Sequence, residues 1–138
     1  MRTWVFDPHS GGLAIPASVK RDTIERLQKH AAANYKGLYV RINVRFHGPL
    51  CYMDAYKEPR EPMKGLLKLN RETREEYLER MRKYPIHLGR IRYIGKDRWS
   101  YAFYTYSNER YEPATFRGEW FGTPEAAFDI GARYLYDE

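Results

Sequence analysis

The chain has 138 residues, of which 43% are hydrophobic and 30% are charged, and its formal net charge is +6. This balance is typical of one folded domain and excludes a disordered chain, and no apolar run approaches the roughly 20 residues that a membrane-spanning helix needs. A basic chain favours an anionic partner, nucleic acid above all.

The N-terminus and the cysteine usage both favour the cytoplasm. The stretch MRTWVFDPHSGG has no apolar segment of the kind found in signal peptides. A single cysteine, Cys51, permits no intrachain disulfide, as is usual in a reducing compartment.

The first half of the chain predicts a strand, a helix and a hairpin. Residues 3–6 are a candidate short strand, followed by a turn. A helix is expected next, with Pro16 in its first turn and Gly37 just past its end. The hydrophobic period then changes to two over RINVRF, and the turn HGP leads into the returning strand LCYMDAY.

The second half predicts a loop, a helix, three strands and a final helix. Segment 57–72 contains two prolines and a glycine, so we expect a long loop there, suited to a mobile flap. Thr73 and Glu76 have capping-box spacing, and the helix that they begin should have Tyr84 on its apolar side, with Pro85 ending it. The strands are IHLGRIRYIG, RWSYAFYTYS and RYEPATF, and Thr123 caps the last helix.

This order of elements predicts a single α+β domain over residues 1–138. Because tight turns join most strands, we expect an antiparallel sheet of about five or six strands. The helices should lie mainly on one face of the sheet and leave the other face partly open.

The last third resembles a known DNA-binding fold. Three antiparallel strands followed by a helix opening FGTPEAAF resemble, over residues 86–136, the arm-type DNA-binding domain of tyrosine recombinases. In that family the sheet lies in the major groove, so the resemblance implies DNA binding. Through TWVFDPHSGG, FYTYSNERYE and GEWFGTPEAAF the chain also resembles small uncharacterised bacterial proteins, which implies no activity.

The strand RWSYAFYTYS carries large rings on both faces. Trp99, Tyr101 and Phe103 share one parity, and we expect them in the core beneath the last helix. Tyr104 and Tyr106 then face the opposite way, with the small Ala102 leaving room for a ligand. The alternative is a central strand whose rings are all buried by packing.

Arginines on the neighbouring strands complete a candidate surface for DNA or RNA. Arginine neutralises phosphates, and tyrosine rings stack on bases. We expect these arginines to be exposed beside the tyrosines. The candidate nucleic-acid-binding residues are Arg41, Arg45, Arg90, Arg92, Tyr104 and Tyr106.

Three functions remain open. The first is a non-enzymatic nucleic-acid-binding domain. The second is an interaction module whose aromatic surface contacts a protein partner or a second copy of the chain. The third is a small hydrolase or nuclease centred on His47 and Asp54, with His9 as a further candidate. An enzyme is the less favoured interpretation.

No catalytic residue, metal ligand or cofactor is assigned from the sequence. The histidines have no HxxxH or HxH spacing, no CxxC occurs, and no glycine-rich phosphate loop is present. We expect Cys51 to be a core residue rather than a nucleophile, and Asp54 to pair with an arginine across the sheet. The loop FDPHSGG predicts either a simple turn or an anion site made of backbone amides.

Overall fold

The structure is a computed structural model that describes residues 11–136. The predicted strand at residues 3–6 and the part of the FDPHSGG loop that includes His9 lie outside the described residues. The elements in chain order are α1 (Ala17–Asn34), β1 (Arg41–His47), β2 (Leu50–Tyr56), α2 (Leu66–Asn70), α3 (Arg74–Arg82), β3 (Ile86–Gly95), β4 (Arg98–Thr105), β5 (Arg110–Ala114), α4 (Pro124–Gly131) and a 3₁₀ turn (Ala132–Leu135).

The five strands form one antiparallel sheet in the order β1-β2-β3-β4-β5, which confirms the predicted α+β fold. Each strand therefore lies beside its neighbours in the chain. The turn between β3 and β4 contains Lys96 and Asp97 with φ of 53° and 55°, a left-handed pair that suits a tight hairpin. Short turns join β1 to β2, β3 to β4 and β4 to β5, and such turns leave antiparallel pairing as the available arrangement for these pairs.

Helices α1 and α4 pack together over one face of the sheet, as predicted, and enclose the core. The cross-strand register builds the core face row by row: Ile42 lies opposite Ala55, and Cys51 opposite Ile91. The second of these rows continues across the sheet, because Ile91 also lies opposite Tyr101. Burying this apolar surface is the main force that holds the helices to the sheet.

The tyrosine-rich strand β4 divides its rings between the two faces. Trp99 and Tyr101 are 0% and 3% exposed and lie in the core, as predicted. Phe103 is half-buried and packs against the same core. Tyr104 lies on the opposite face, so the period of two assigned these side chains correctly.

The helix starts follow their predicted chemistry. The Thr73 hydroxyl accepts a hydrogen bond from the Glu76 amide, and the Glu76 carboxylate accepts one from the Thr73 amide. The Thr123 hydroxyl caps α4 by accepting from the Ala126 amide, and Pro124 occupies the first helical position. Each of these caps satisfies amides that have no partner within the helix.

Two local predictions need correction. Segment 57–72 is not loop throughout, because α2 forms within it between Gly65 and Arg71, which both have positive φ. Tyr84 is 62% exposed rather than buried, because α3 ends two residues before it, at Arg82. Across residues 11–136, no helix has the length and apolarity to cross a membrane.

Candidate nucleic-acid interface

The face of the sheet opposite α1 and α4 carries the candidate residues, and we call it the outer face. Arg45 lies opposite Tyr52, and Tyr52 in turn lies opposite Arg90. Tyr104 lies opposite Tyr111. The polar and aromatic members of the outer face include Arg41, Asn43, Arg45, Tyr52, Asp54, Tyr56, His87, Arg90, Arg92, Ser100, Tyr104 and Tyr111.

Arg41 and Arg45 are the exposed arginines of β1. The guanidinium carbon of Arg41 lies 3.9 Å from the ring centre of Tyr56, and that of Arg45 lies 4.3 Å from the ring centre of Tyr52. A guanidinium that rests on a tyrosine ring keeps its N–H groups available at the edges. These two arginines can therefore contact phosphates while their stems stay ordered.

Arg90 and Arg92 lie on the outer face but are only 4% and 3% exposed, unlike the expected exposed arginines. They belong to the central strand β3, which has neighbours on both sides. The Arg90 guanidinium carbon lies 4.9 Å from the ring centre of Tyr111. The Arg92 Nε donates to the Ser100 hydroxyl at 3.2 Å, and Gly12 lies against the Arg92 stem. Both guanidinium groups therefore lie beneath the surface rather than on it.

Beside them lies a tyrosine cluster made of Tyr104, Tyr106, Tyr111 and the ring of His87. The ring centre of Tyr104 is 4.8 Å from that of Tyr106, 5.0 Å from that of Tyr111 and 4.5 Å from that of His87. The Tyr106 hydroxyl accepts a hydrogen bond from the His87 amide at 2.9 Å. The tyrosine rings meet edge to face, whereas the His87 ring is tilted against Tyr104 and stacked on Tyr106.

The cluster presents neutral rings toward solvent. Tyr106 is 48% exposed, the most open ring of the cluster. Burial raises the pKa of both Tyr106 and Tyr111 above the usual tyrosine value. The phenols therefore stay protonated at neutral pH, and no phenolate repels an anionic ligand. The predicted ligand space beside Ala102 is not present, because Ala102 is 5% exposed between Arg90 and Pro113.

Asp54 joins the arginines to the cluster. Its carboxylate is buried, and Oδ2 accepts a hydrogen bond from the Arg45 Nε at 3.1 Å, which confirms the predicted pairing with an arginine. Its Oδ1 lies 2.8 Å from the Nδ1 of His87. The buried charge is thus held by two partners, as a carboxylate at such depth requires.

The pairing of His47 with Asp54, which the third hypothesis needs, does not form. Asp54 lies opposite Asn43, and His47 lies four residues further along β1. At about 3.3 Å per residue the two side chains are separated by about 13 Å. His87 takes the place beside Asp54 instead.

A β-bulge explains why the sequence pattern did not indicate His87. Strict alternation along β3 would put His87 on the core face with Ile91. The register shifts at Met53/Asp54, so that Leu88 turns into the core and His87 turns outward. Gly89, with φ of +145°, is the sequence signal for this bulge.

Cys51 is a core residue, as predicted. Its side chain is fully buried, and burial raises the pKa of the thiol well above its usual value. A thiol that stays protonated is a poor nucleophile. Within residues 11–136, no group of three or more histidine, cysteine, aspartate or glutamate side chains is placed to hold a metal ion.

A groove of about 500 Å³ opens beside the cluster, between the sheet and α3. Its lining includes Tyr106, Tyr134, Met81 and Lys57. Tyr106 therefore faces both the outer face and this groove.

Comparison with known proteins supplies no relative, because no family model, curated protein or solved structure matches the chain. The resemblance of residues 86–136 to recombinase arm domains stays a prediction.

Proposed function

We propose that the protein binds single-stranded nucleic acid on the outer face of its sheet. The observation that supports this most directly is the placement of exposed arginines and a tyrosine cluster on the same face. Arg41 and Arg45 lie on β1, Tyr104 lies near the C-terminal end of β4, and Tyr106 directly follows that strand. A cytoplasmic location, predicted from the lone cysteine, would give access to such ligands.

Charge favours an anion on this face. Among the described residues of the five strands, Asp54 is the carboxylate on the outer face. Its two oxygens are hydrogen-bonded to Arg45 and His87. The arginines therefore outnumber acidic groups there. Each phosphate that they contact would release condensed counterions and strengthen binding at low salt.

The tyrosine cluster favours unpaired bases. Base stacking on an aromatic ring contributes about 1–3 kcal/mol per base and tolerates any sequence. A base must leave a duplex to reach such a ring, so a single strand is the better ligand. From β1 to β4 there are three strand spacings, about 14 Å, which a strand of a few nucleotides can cross.

Binding of labelled oligonucleotides tests the proposal. Fluorescence anisotropy should be measured with one sequence as single-stranded RNA, single-stranded DNA and duplex DNA, between 50 and 200 mM salt. We expect the single strands to bind more tightly, with log affinity falling linearly against log salt. Tighter duplex binding would favour the groove-binding mode of the recombinase arm domain instead.

Size-exclusion chromatography on the same sample separates the competing function. If the outer face were a protein interface, the chain would elute as an oligomer or would fail to bind any oligonucleotide. No binding to either single strand at 50 mM salt would reject the proposed function.

A further inference from the structure

His87 and Asp54 form a dyad that binding alone does not require. Nδ1 of His87 lies 2.8 Å from Oδ1 of Asp54, and the Asp54 side chain is only 3% exposed. A carboxylate that accepts from Nδ1 fixes the imidazole tautomer, with its proton on Nδ1 and a lone pair on Nε2. The second carboxylate oxygen accepts from Arg45 at 3.1 Å, which fixes the carboxylate in turn.

The basic nitrogen of this dyad is available to a ligand. In the described part of the chain, no residue forms a hydrogen bond to Nε2 of His87, whose side chain is 22% exposed. The imidazole lies within the tyrosine cluster, where we place the bases, and beside Arg45, where we place a phosphate. A sugar that joins the two would lie close to the imidazole.

We propose that the Asp54–His87 dyad cleaves RNA bound on the outer face, an inference that rests on the proposed function. His87 Nε2 would remove the proton of a ribose 2′-hydroxyl. The 2′-oxygen then attacks the adjacent phosphorus, and the bond from phosphorus to the 5′-oxygen of the next nucleotide breaks. The leaving oxygen takes a proton from solvent, and the imidazolium returns its proton to solvent, so the step balances.

The products are a 2′,3′-cyclic phosphate and a free 5′-hydroxyl, and DNA lacks the hydroxyl that starts the reaction. Arg45 would stabilise the charge that builds on the phosphate oxygens. It donates Nε to Asp54, and its side chain is 49% exposed, so its terminal N–H groups face the ligand side.

Asp54 is a positioning residue in this scheme. It does not reach the substrate, because its carboxylate is buried beneath Arg45 and His87. It holds the imidazole tautomer and stabilises the imidazolium that forms. The competing interpretation is that the pair only braces the β-bulge of β3, which predicts no effect on chemistry.

The test is cleavage of a labelled single-stranded RNA by the full chain in EDTA without added metal. A 2′-O-methyl RNA of the same sequence measures binding, because it binds without offering the hydroxyl. The variants are His87→Gln, His87→Ala and Asp54→Asn. His47→Ala is the matched control, since it removes an exposed histidine from the same sheet about 13 Å from Asp54.

We expect cyclic-phosphate products from the wild type and from His47→Ala. His87→Gln and His87→Ala should cleave at least about 100-fold more slowly, as loss of a general base does, a decrease larger than any loss in their binding of the 2′-O-methyl RNA. Asp54→Asn should lower kcat with little change in KM. A single 2′-deoxy substitution at the cleaved nucleotide should block cleavage by the wild type, a check that needs no variant.

Three results would overturn the inference. Binding of the 2′-O-methyl RNA without cleavage of RNA would reject the dyad and leave the proposed function standing. Absence of binding would reject both. Cleavage that persists in His87→Gln, or that EDTA abolishes, would assign the reaction to another site.

Discussion

Gly131 in α4 lies directly against the backbone of Leu88 in β3. A Cβ atom built on Gly131 would lie 1.7 Å from the Leu88 carbonyl oxygen, far inside van der Waals contact. The same carbonyl accepts a hydrogen bond from the Tyr101 hydroxyl at 3.0 Å. The glycine therefore lets the helix approach the bulge of the sheet while the buried hydroxyl keeps its partner.

Gly131→Ala should destabilise the protein by about 1–3 kcal/mol, because the helix must shift away from β3. The sign of this change in stability tests the close approach. Alanine adopts the φ of −72° at Gly131 freely, and replacing glycine by alanine in a helix normally stabilises by about 1 kcal/mol. Urea unfolding followed by tryptophan fluorescence measures the change. Equal or higher stability would show that the close approach is not maintained in solution.

The two faces of β4 should respond differently to ring deletion. Trp99→Ala should cost about 3–5 kcal/mol of unfolding free energy, since the ring is fully buried. Tyr106→Ala should cost about 1 kcal/mol, because the ring is half-exposed and its main loss is one hydrogen bond with the His87 amide. Circular dichroism melts suit both variants.

Tyr106→Ala should nevertheless weaken single-strand binding by about 1–3 kcal/mol, as expected for one stacked base. Trp120→Ala is a useful control, because Trp120 is 43% exposed and lies beyond the five strands. Unchanged affinity in Tyr106→Ala would remove the tyrosine cluster from the interface.

Replacing Arg41 and Arg45 together by alanine should reduce the salt slope by about 1.4 for a single strand, which corresponds to two phosphate contacts. The double variant Lys29→Ala/Lys36→Ala makes the same charge change on and just after α1, on the helical side. It should leave the slope unchanged. Equal effects in the two double variants would show that only net charge matters.

The ion pairs of Arg26 should make part of the unfolding free energy depend on pH. Its guanidinium binds Glu125 at 2.6 Å and Asp97 at 2.8 Å, tying α1 to α4 and to the β3–β4 turn. Hydrogen bonding to Arg26 holds the pKa of Glu125 below its usual 4.5. A lowered folded pKa means that the contribution is complete above about pH 4.5 and is lost as the pH falls through the folded value.

Arg26→Gln should therefore lower the unfolding free energy by about 1 kcal/mol at pH 7, a modest value because water screens partly exposed pairs. The difference from wild type should shrink toward pH 3. Lys29→Gln, which breaks the exposed pair with Glu25, should show almost no difference at either pH. A constant Arg26→Gln effect down to pH 3 would contradict the assignment to ion pairing.

Cys51 should resist thiol reagents in the native state. The side chain is fully buried and burial raises its pKa, so the reactive thiolate is scarce and shielded. Labelling should be slow in buffer and fast in urea, at a rate that follows unfolding. Rapid labelling without denaturant would show that β2 opens locally.

The sequence by itself determined the fold class and most of the elements. The change of period from a helical one to two after α1, the turn residues between strands and the caps at Thr73 and Thr123 act over a few residues. Such local signals are visible without knowing the tertiary structure. Alternation along β4 also assigned Trp99 and Tyr104 to opposite faces, because side chains in a strand must alternate.

Only the tertiary structure decided the make-up of the candidate site. The bulge between β2 and β3 reverses the parity of His87 and brings it to Asp54, 33 residues away in the chain. Arg90 is buried against Tyr52 and Tyr111, and Arg92 against Gly12 and Ser100, which are contacts between separate segments of the chain. Register and strand order depend on pairings between distant segments, and local propensity carries no information about those pairings.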